Sequence, residues 1–216
     1  MVIRNWFDKK FENSPGASGV AGPKMPRHSG AWSTLRKRLK NEPGLRVIDA
    51  GVTSPTNINY LTSLGHSIFL ADPVTEAYSG NWQTGVDDDD NPIWNAGGYL
   101  DQALQFAGRS FDVVLLWTTL DYLPEALVAP VVQRFRDAMN PGGQVLALFH
   151  TRMHGEDTAF CRFHVTDGDN VELQVAQPVP MQRVFTNRSI QSLFSGWSGF
   201  KQFLAKDSIS EVLITR

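Results

Sequence analysis

The chain has 216 residues, of which 42% are hydrophobic, and its formal net charge is −2. This length suffices for one domain with a substantial core, and the charge gives no general attraction to nucleic acid or to an anionic membrane. Cys161 is the only cysteine, so an internal disulfide and a cysteine-based metal cluster are excluded. No stretch has the length of a signal-peptide core or of a membrane span. We therefore expect a cytoplasmic protein that binds no metal, nucleic acid or membrane.

The first thirty residues differ in composition from the rest of the chain. Residues 2–11 carry apolar side chains at helical spacing, whereas residues 14–30 are rich in Gly, Pro and Ser. We predict a short amphipathic helix on a flexible linker over residues 1–30, followed by a single domain over residues 31–216. The helix would either cover one edge of the domain as a lid, or pack elsewhere on the domain or on a second molecule.

Residues 45–73 show the pattern of a strand, a turn, a helix and a second strand. Leu45 to Ala50 is a short apolar run typical of a buried parallel strand, and Gly51 marks the turn after it. Ser54-Pro55 is a typical helix start, because the serine oxygen can accept a free backbone N–H and proline has none to lose. A second apolar run then ends at Asp72. Upstream, Trp32 and its neighbours also have a helical pattern.

The turn and the acid together suit a nucleotide ligand. A turn without a side chain lets a ligand approach the backbone, and the following helix N-terminus offers oriented N–H groups. An acid about 20 residues further on can accept both hydroxyls of a ribose. Gly51 and Asp72 fit these two positions. The alternative is that Gly51 only forms a turn and that Asp72 only caps the end of a strand.

Residues 74–98 have no clear pattern. They include four consecutive acids, Asp87–Asp90, which suit a solvated loop better than a cation site because neighbouring side chains point in divergent directions. The next stretch, Tyr99–Phe106, predicts either a helix or a short strand.

Residues 111–150 repeat the alternation of strand and helix. The run FDVVLLW at residues 111–117 predicts a buried strand, and residues 118–122 form the loop at its carboxyl end, where open α/β sheets bind their ligands. Residues 124–139 have a helical pattern, and QVLALFH at residues 144–150 is a further buried strand. This alternation is the signature of a parallel, doubly wound sheet.

The last third of the chain predicts two antiparallel hairpins. Residues 159–175 alternate between apolar and polar side chains on either side of the turn sequence DGDN, which indicates a hairpin inserted into the fold. Residues 199–216 contain two further apolar runs joined by a link too short for a parallel crossover. A short helix is predicted between the hairpins, at residues 187–194.

The order of these segments resembles that of the class I, Rossmann-like S-adenosylmethionine-dependent methyltransferases from about residue 31 to the C-terminus. VIDAG is similar to the first cofactor motif of that family and LADP to the acidic end of its second strand. FDVVLLWTTLDYLP is similar to the fourth strand and its loop, NPGGQVLALFH to the fifth strand, and the final hairpin to the sixth and seventh strands. The resemblance implies an α/β fold with a doubly wound, mostly parallel seven-stranded sheet, to which this chain adds the inserted β-hairpin.

The resemblance also implies S-adenosyl-L-methionine as the cofactor. The residues that would bind it are Asp49, Ala50, Gly51, Thr53, Asp72, Pro73, Asp101, Trp117 and Thr118. In one respect the chain departs from the family, whose first motif usually carries two or three glycines. Here Gly51 is followed by Val52 to Pro55, which narrows the room for the methionine end of the cofactor. Thr53 and Ser54 would either bind the cofactor carboxylate or cap the helix.

Methyl transfer requires a base only when the acceptor must lose a proton. The candidate bases lie at the carboxyl edge or just beyond it: His150, Asp121, Tyr122, His154 and Glu156. An insertion at residues 151–186 is large enough to wall a pocket for a small molecule. The expected function is methyl transfer to a small-molecule acceptor by a monomer or homodimer. The alternative is an inactive domain that serves as a binding or scaffold module.

Overall fold

The strands and helices are defined for residues 22–153, 158–204 and 207–216, the part of the chain that the computed structural model describes. The strands are β1 (Met25–His28), β2 (Arg46–Ala50), β3 (Ser67–Ala71), β4 (Gln83–Val86), β5 (Pro92–Trp94), β6 (Phe111–Trp117), β7 (Met139–His150), β8 (Cys161–Val165), β9 (Asn170–Val175), β10 (Gly199–Phe203) and β11 (Ile209–Thr215). The helices are α1 (Gly30–Asn41), α2 (Pro55–Ser63), α3 (Pro73–Ser79), α4 (Ala96–Ala103), α5 (Thr119–Tyr122), α6 (Glu125–Ala138) and α7 (Asn187–Leu193).

Tyr99 lies inside α4, so the stretch that predicted either a helix or a strand begins as a helix. No helix in the described ranges is long and apolar enough to cross a membrane. The helix predicted over residues 2–11, together with its role as a lid, lies outside the described residues.

A mixed six-stranded sheet forms the centre of the fold, in the order β10-β11-β7-β6-β2-β3. Strands β7, β6, β2 and β3 are parallel, whereas β11 is antiparallel to both of its neighbours. The α/β class, the parallel half of the sheet and the C-terminal antiparallel hairpin are therefore confirmed.

The prediction of seven strands is wrong for the described residues. Between β3 and β6 the chain forms α3, a separate two-stranded sheet of β4 and β5, and α4, so the outer edge of β3 has no partner among the described strands. The reason is a tight local hairpin. Asp87 closes its turn by accepting hydrogen bonds from the backbone N–H groups of Asp89 and Asn91, so β4 and β5 pair with each other and neither joins the main sheet.

The strands of the parallel half are apolar on both faces because both faces are covered. Ile48 and Val114 pack on one face among side chains of α3, α4 and α6. Val47 and Val113, their neighbours in sequence, pack on the opposite face with side chains of α1, α2, β8 and β9. This arrangement explains why the strands read as continuous apolar runs in the sequence.

The second covering layer includes a three-stranded antiparallel sheet in the order β1-β9-β8. Strands β8 and β9 form the inserted hairpin that the sequence predicts. The prediction of a flexible linker over residues 14–30 is wrong for β1, because these residues form a paired strand. Met25 pairs with Leu173, and His28 pairs with Asn170. Alone, these residues cannot bury enough apolar surface to become ordered, but the outer edge of β9 supplies backbone partners for them.

Candidate active site

The carboxyl ends of three neighbouring strands carry most of the residues predicted to bind a cofactor. Because β3, β2 and β6 are adjacent and parallel, their ends lie side by side at one edge of the sheet. Asp72 follows β3, Gly51 follows β2, and Trp117 is the last residue of β6. The fold therefore brings these residues to the place where open α/β sheets bind ligands.

The glycine turn is covered by an indole ring. A Cβ built on Gly51 would lie only 3.0 Å from Cδ1 of Trp117, so any other residue at this position would push the ring aside. Trp117 itself has a φ of 47°, in the left-handed region that bulky residues rarely adopt. This backbone conformation aims the indole back over the turn. A larger residue at position 51 therefore requires the indole to shift by a few tenths of an ångström, whether or not a ligand also approaches the turn.

The Asp49 carboxylate is enclosed by two other side chains. Only 1% of the residue is exposed, and its Oδ1 accepts a hydrogen bond of 2.7 Å from Nε1 of Trp117. Its Oδ2 accepts a bond of 2.8 Å from Nδ2 of Asn57. Burial raises the pKa of Asp49 to about 6, and the hydrogen bonds from Asn57 and Trp117 oppose that rise. Both oxygens of this predicted cofactor-binding acid are thus used within the fold.

Asn57 is a central residue that the sequence did not single out. Besides its bond to Asp49, its Nδ2 donates to the backbone oxygen of Phe163 at 3.0 Å, and its Oδ1 accepts from the backbone N–H of Val165 at 2.8 Å. The side chain therefore joins the start of α2 to the main sheet and to β8. The signal in the sequence is its spacing: Asn57 lies four positions before Leu61, so both side chains fall on the face of α2 that packs inward.

Strand β8 covers the indole from its other side. The rings of Trp117 and Phe163 are stacked, with centroids 4.9 Å apart and planes 3° from parallel. Next to this pair, the hydroxyl of Ser54 lies 2.9 Å from Nδ1 of His164. The same hydroxyl accepts a bond from the backbone N–H of Asn57, so the predicted helix cap at Ser54 is present. Two stacked aromatic rings therefore cover the turn at Gly51.

Asp72 begins α3 and caps it. Its Oδ1 accepts a bond of 3.0 Å from the backbone N–H of Thr75, and its Oδ2 accepts a bond of 2.8 Å from the hydroxyl of the same residue. Burial raises the pKa of Asp72, and the bonds from Thr75 oppose that rise. The residue is only half-buried, so its carboxylate remains in reach of a ligand at the sheet edge.

Three other predicted cofactor residues lie close to this edge. The backbone oxygen of Ala50 accepts a bond of 2.7 Å from the hydroxyl of Thr119. The backbone oxygen of Pro73 accepts a bond of 2.8 Å from the hydroxyl of Tyr99. Thr118 is buried at the start of α5. The side chains of Thr119 and Tyr99 thus hold these two backbone segments in place, a role that the sequence did not indicate.

The remaining two predicted cofactor residues are exposed. Thr53 lies in the turn between Gly51 and α2 and is open to solvent. Asp101 lies within α4, and its carboxylate forms an ion pair of 2.6 Å with Arg134 on α6. Because α4 is a helix, Asp101 is not delivered by the end of a strand as the other acids are.

Two of the candidate bases form a buried pair. The Oδ2 atom of Asp121 lies 2.8 Å from Nδ1 of His150 and also accepts a bond of 2.8 Å from the backbone N–H of that residue. Both residues are at most 2% exposed. Burial raises the pKa of Asp121, and the bonds from His150 oppose that rise. Its Oδ1 has no hydrogen-bond partner among the described residues, which is unusual for a buried carboxylate.

The third candidate base, Tyr122, uses both its hydroxyl and its ring in contacts within the fold. The hydroxyl of Tyr122 donates to the backbone oxygen of Thr158 at 2.9 Å, and its ring meets the His150 ring edge-on at 5.8 Å. Burial raises the pKa of Tyr122 far above its usual value, so the phenol stays protonated. The remaining two candidates, His154 and Glu156, lie outside the described residues.

Residues 26–200 match a family model described as a methyltransferase domain. The chain belongs to this methyltransferase family. The match runs from β1 to the first two residues of β10 and includes the inserted hairpin, and it confirms the resemblance found in the sequence. A comparison with curated proteins found no match.

Solved structures similar to this methyltransferase domain share little sequence with it. A SAM-dependent methyltransferase from Methanosarcina mazei is 14% identical, with 83% of this chain and 96% of that chain covered and a TM-score of 0.49. TehB from Haemophilus influenzae is 14% identical, with 99% and 67% covered and a TM-score of 0.47. Magnesium protoporphyrin IX methyltransferase from Synechocystis, solved with SAM, is 14% identical, with 86% and 77% covered and a TM-score of 0.45.

Proposed function

We propose that this protein transfers the methyl group of S-adenosyl-L-methionine to a small-molecule acceptor. The observation that carries the proposal is the position of Gly51 and Asp72 at the ends of two adjacent parallel strands, in a chain of the methyltransferase family. A glycine turn next to a strand-end acid is the arrangement that suits a ribose-containing cofactor.

The residues at the sheet edge fit the ribose end of the cofactor better than its methionine end. Each oxygen of Asp72 accepts one bond from Thr75, and a carboxylate oxygen has room for a second, so both ribose hydroxyls can be bound. At Gly51 the indole of Trp117 fills the space beside the turn. The methionine end therefore requires Trp117 to move. When bound, the cofactor supplies an electrophilic methyl group on a sulfonium.

The protein's own contribution to proton transfer would come from the Asp121 and His150 pair. The Oδ2 atom of Asp121 lies 2.8 Å from Nδ1 of His150, and this contact fixes the orientation of the imidazole ring. A negative carboxylate beside the ring also stabilises the positive charge that forms when the imidazole takes a proton. The pair is therefore suited to remove a proton from the acceptor as the methyl group arrives.

Calorimetry with S-adenosylhomocysteine tests the cofactor half of the proposal. We expect measurable binding to the wild-type protein and a loss of about 1.5–3 kcal/mol in Asp72→Ser, which removes the charge-assisted bonds to the ribose. Serine is a good helix cap, so this substitution keeps α3 capped and separates ligand binding from folding.

Asp101→Ser is the matched control, because it removes an exposed acid from the neighbouring helix. This variant should leave the affinity for S-adenosylhomocysteine unchanged if Asp101 only pairs with Arg134. A loss of affinity as large as that of Asp72→Ser would mean that Asp101 also contacts the cofactor. The proposal fails if folded wild-type protein gives no heat and no thermal shift at about 1 mM ligand, since a cofactor that weak cannot be a working one.

A second candidate function is a methyltransferase-fold protein that has lost catalysis and serves as a binding module. The stacked rings of Trp117 and Phe163 lie over Gly51, and this obstruction of the proposed cofactor site favours the binding module. We expect Trp117→Ala to tighten S-adenosylhomocysteine binding by roughly tenfold if the indole is the obstacle, because the closed form then no longer competes with the ligand. Trp117→Phe keeps a ring over the turn and should bind S-adenosylhomocysteine as the wild type does. Both variants lose the Nε1 donor to Asp49, so binding is compared where each variant is folded. No binding to either folded variant would favour the binding module.

A further inference from the structure

A large cavity lies away from the glycine turn, between α3, the β4–β5 hairpin and the start of α6. Its volume is about 810 Å³, within the range of small-molecule sites. Its walls include Tyr78, Trp82, Trp94, Pro124, Glu125 and Arg183. None of the nine residues predicted to bind the cofactor lines it. The cavity is thus a separate feature that needs its own explanation.

The aromatic walls are held in place from behind. Nε1 of Trp82 donates to the backbone oxygen of Glu76 at 2.9 Å, and the indole meets the ring of Tyr99 edge-on at 5.9 Å. The hydroxyl of Tyr78 donates to the backbone oxygen of Tyr122 at 2.9 Å. Because the polar atom of Trp82 is bonded within the protein, its indole offers mainly ring surface to the cavity. Fixed ring surfaces favour a flat aromatic ligand, which can stack on them without ordering new side chains.

Arg183 supplies a hydrogen-bond donor to the same cavity. Its Nη2 donates to the backbone oxygen of Leu123 at 3.3 Å, and its Nη1 lies 3.4 Å from the carboxylate of Glu125. The Glu125 carboxylate is 90% exposed, so water screens this ion pair and makes it weak. The Nε of Arg183 is buried and has no hydrogen-bond partner among the described residues, so the donor that faces a ligand is Nη1, which is held only by the weak pair with Glu125. A ligand with an oxygen or nitrogen acceptor at its edge can therefore use this guanidinium.

Two connections link the cavity to the proposed site of transfer. The backbone N–H groups of Gln182 and Arg183 donate to the backbone oxygen of Asp121, at 2.8 and 3.3 Å, so one wall is bonded directly to the buried pair of Asp121 and His150. On the other side, Asp72 caps the helix that carries Tyr78, and six residues of helix span only about 9 Å. The cavity therefore lies one short helix away from the proposed ribose anchor.

We propose that this cavity binds the methyl acceptor, and that the acceptor is a planar aromatic or heteroaromatic compound with a hydrogen-bond acceptor at its edge. That the cavity binds such compounds follows from its own walls. That the bound compound receives a methyl group rests on the proposed function.

The probe for the test is 2-naphthol, a flat ring system with one hydroxyl group. Its matched control is decahydro-2-naphthol, which has the same carbon skeleton but no aromatic plane. We expect titration calorimetry without cofactor to show 2-naphthol binding at or below about 1 mM, and at least about fivefold weaker binding of the saturated analogue. Equal affinities for the two compounds would contradict an aromatic site.

Two variants locate the binding. Ala126 lines the cavity on the exposed first turn of α6, so Ala126→Trp fills the space without removing a core side chain. It should weaken 2-naphthol binding by about tenfold or more. Gln133→Trp, exposed on the same helix two turns further on, should have no effect. Trp94→Ala, which removes a wall, should weaken binding as well. If both tryptophan insertions act alike, the ligand binds elsewhere and the cavity proposal is wrong.

A final titration separates the cavity from the cofactor site. An acceptor must bind together with the cofactor, so 2-naphthol should bind equally well when S-adenosylhomocysteine is saturating. Competition between the two ligands would show that the cavity is part of the cofactor site and would overturn the acceptor assignment. If 2-naphthol binds the cavity while S-adenosylhomocysteine does not bind at all, the cavity remains a ligand site, and both the acceptor assignment and the proposed function fail.

Discussion

The Asp49 carboxylate has a predicted role in binding a cofactor and an observed role in joining side chains within the fold. An acid at the end of this strand is what the resemblance associates with cofactor binding, and the sequence predicted that role. In the structure its two oxygens are bonded to Trp117 and Asn57. The prediction from sequence could find the acid because its position follows from the local strand pattern. It could not find its partners, because Asn57 and Trp117 reach Asp49 only after the strands and α2 have packed.

The raised pKa of Asp49 gives a prediction about pH. An unfolded aspartate titrates near 4, whereas burial raises the pKa of Asp49 to about 6, so the folded state binds more protons between these values. The free energy of unfolding contributed by this group must therefore fall as the pH rises from about 4 to about 6, by roughly 2–3 kcal/mol, and stay constant above. Urea unfolding of the wild type and of Asp49→Asn at several pH values measures the difference. A difference that does not change across this range would contradict the shift.

At the scale of elements, the segments that the sequence predicted are those whose signals are local. The buried runs of β2, β6 and β7 and the cap of α2 can be read from neighbouring residues alone. Strand β1 could not be, because the sequence MPRH has no strand pattern and becomes ordered only along the edge of β9. The cover of β8 over the glycine turn was likewise unpredictable, since it depends on where the inserted hairpin docks.

The docking of β8 depends strongly on one side chain. Asn57→Ala removes three buried hydrogen bonds, to Asp49, Phe163 and Val165, and leaves a buried carboxylate oxygen without its donor. We expect a loss of roughly 3 kcal/mol or more in the free energy of unfolding. Asn59→Ala, at an exposed position of the same helix, should change it by less than about 0.5 kcal/mol. Chemical denaturation of both variants measures this, and similar small losses would mean that β8 is held mainly by its apolar contacts.

At the scale of the whole molecule, distant parts of the chain meet at Glu211 on β11. This buried acid pairs with Arg27 of β1 and also accepts bonds from the hydroxyl of Ser29 and the backbone N–H of Ala31. Arg27 in turn binds Asp207. The small sheet, α1 and the terminal hairpin are thus joined at one buried point. The sequence could not indicate this junction, because its members lie about 180 positions apart.

Arg27→Met tests this junction. The substitution leaves Glu211 buried without its charged partner, and we expect a loss of roughly 3–5 kcal/mol in the free energy of unfolding. Lys24→Met is the matched control, because it breaks an exposed ion pair with Glu172 at the same sheet and should cost about 1 kcal/mol or less. Thermal unfolding of both variants provides the comparison. Equal effects would mean that Glu211 is adequately satisfied by Ser29 and Ala31 alone.

The pairing of β1 with β9 also sets an order of events during synthesis. His28 pairs with Asn170, so a ribosome must add 142 further residues before this pair can form. At about 5–20 residues per second, the wait is roughly 7–30 s. For most of that time the residues of α1 have already been made, but its apolar side chains, Trp32 and Leu35 among them, have no β9 to pack against. The growing chain therefore carries an uncovered apolar segment, the kind of surface that chaperones bind, until the inserted hairpin and the terminal strands have emerged.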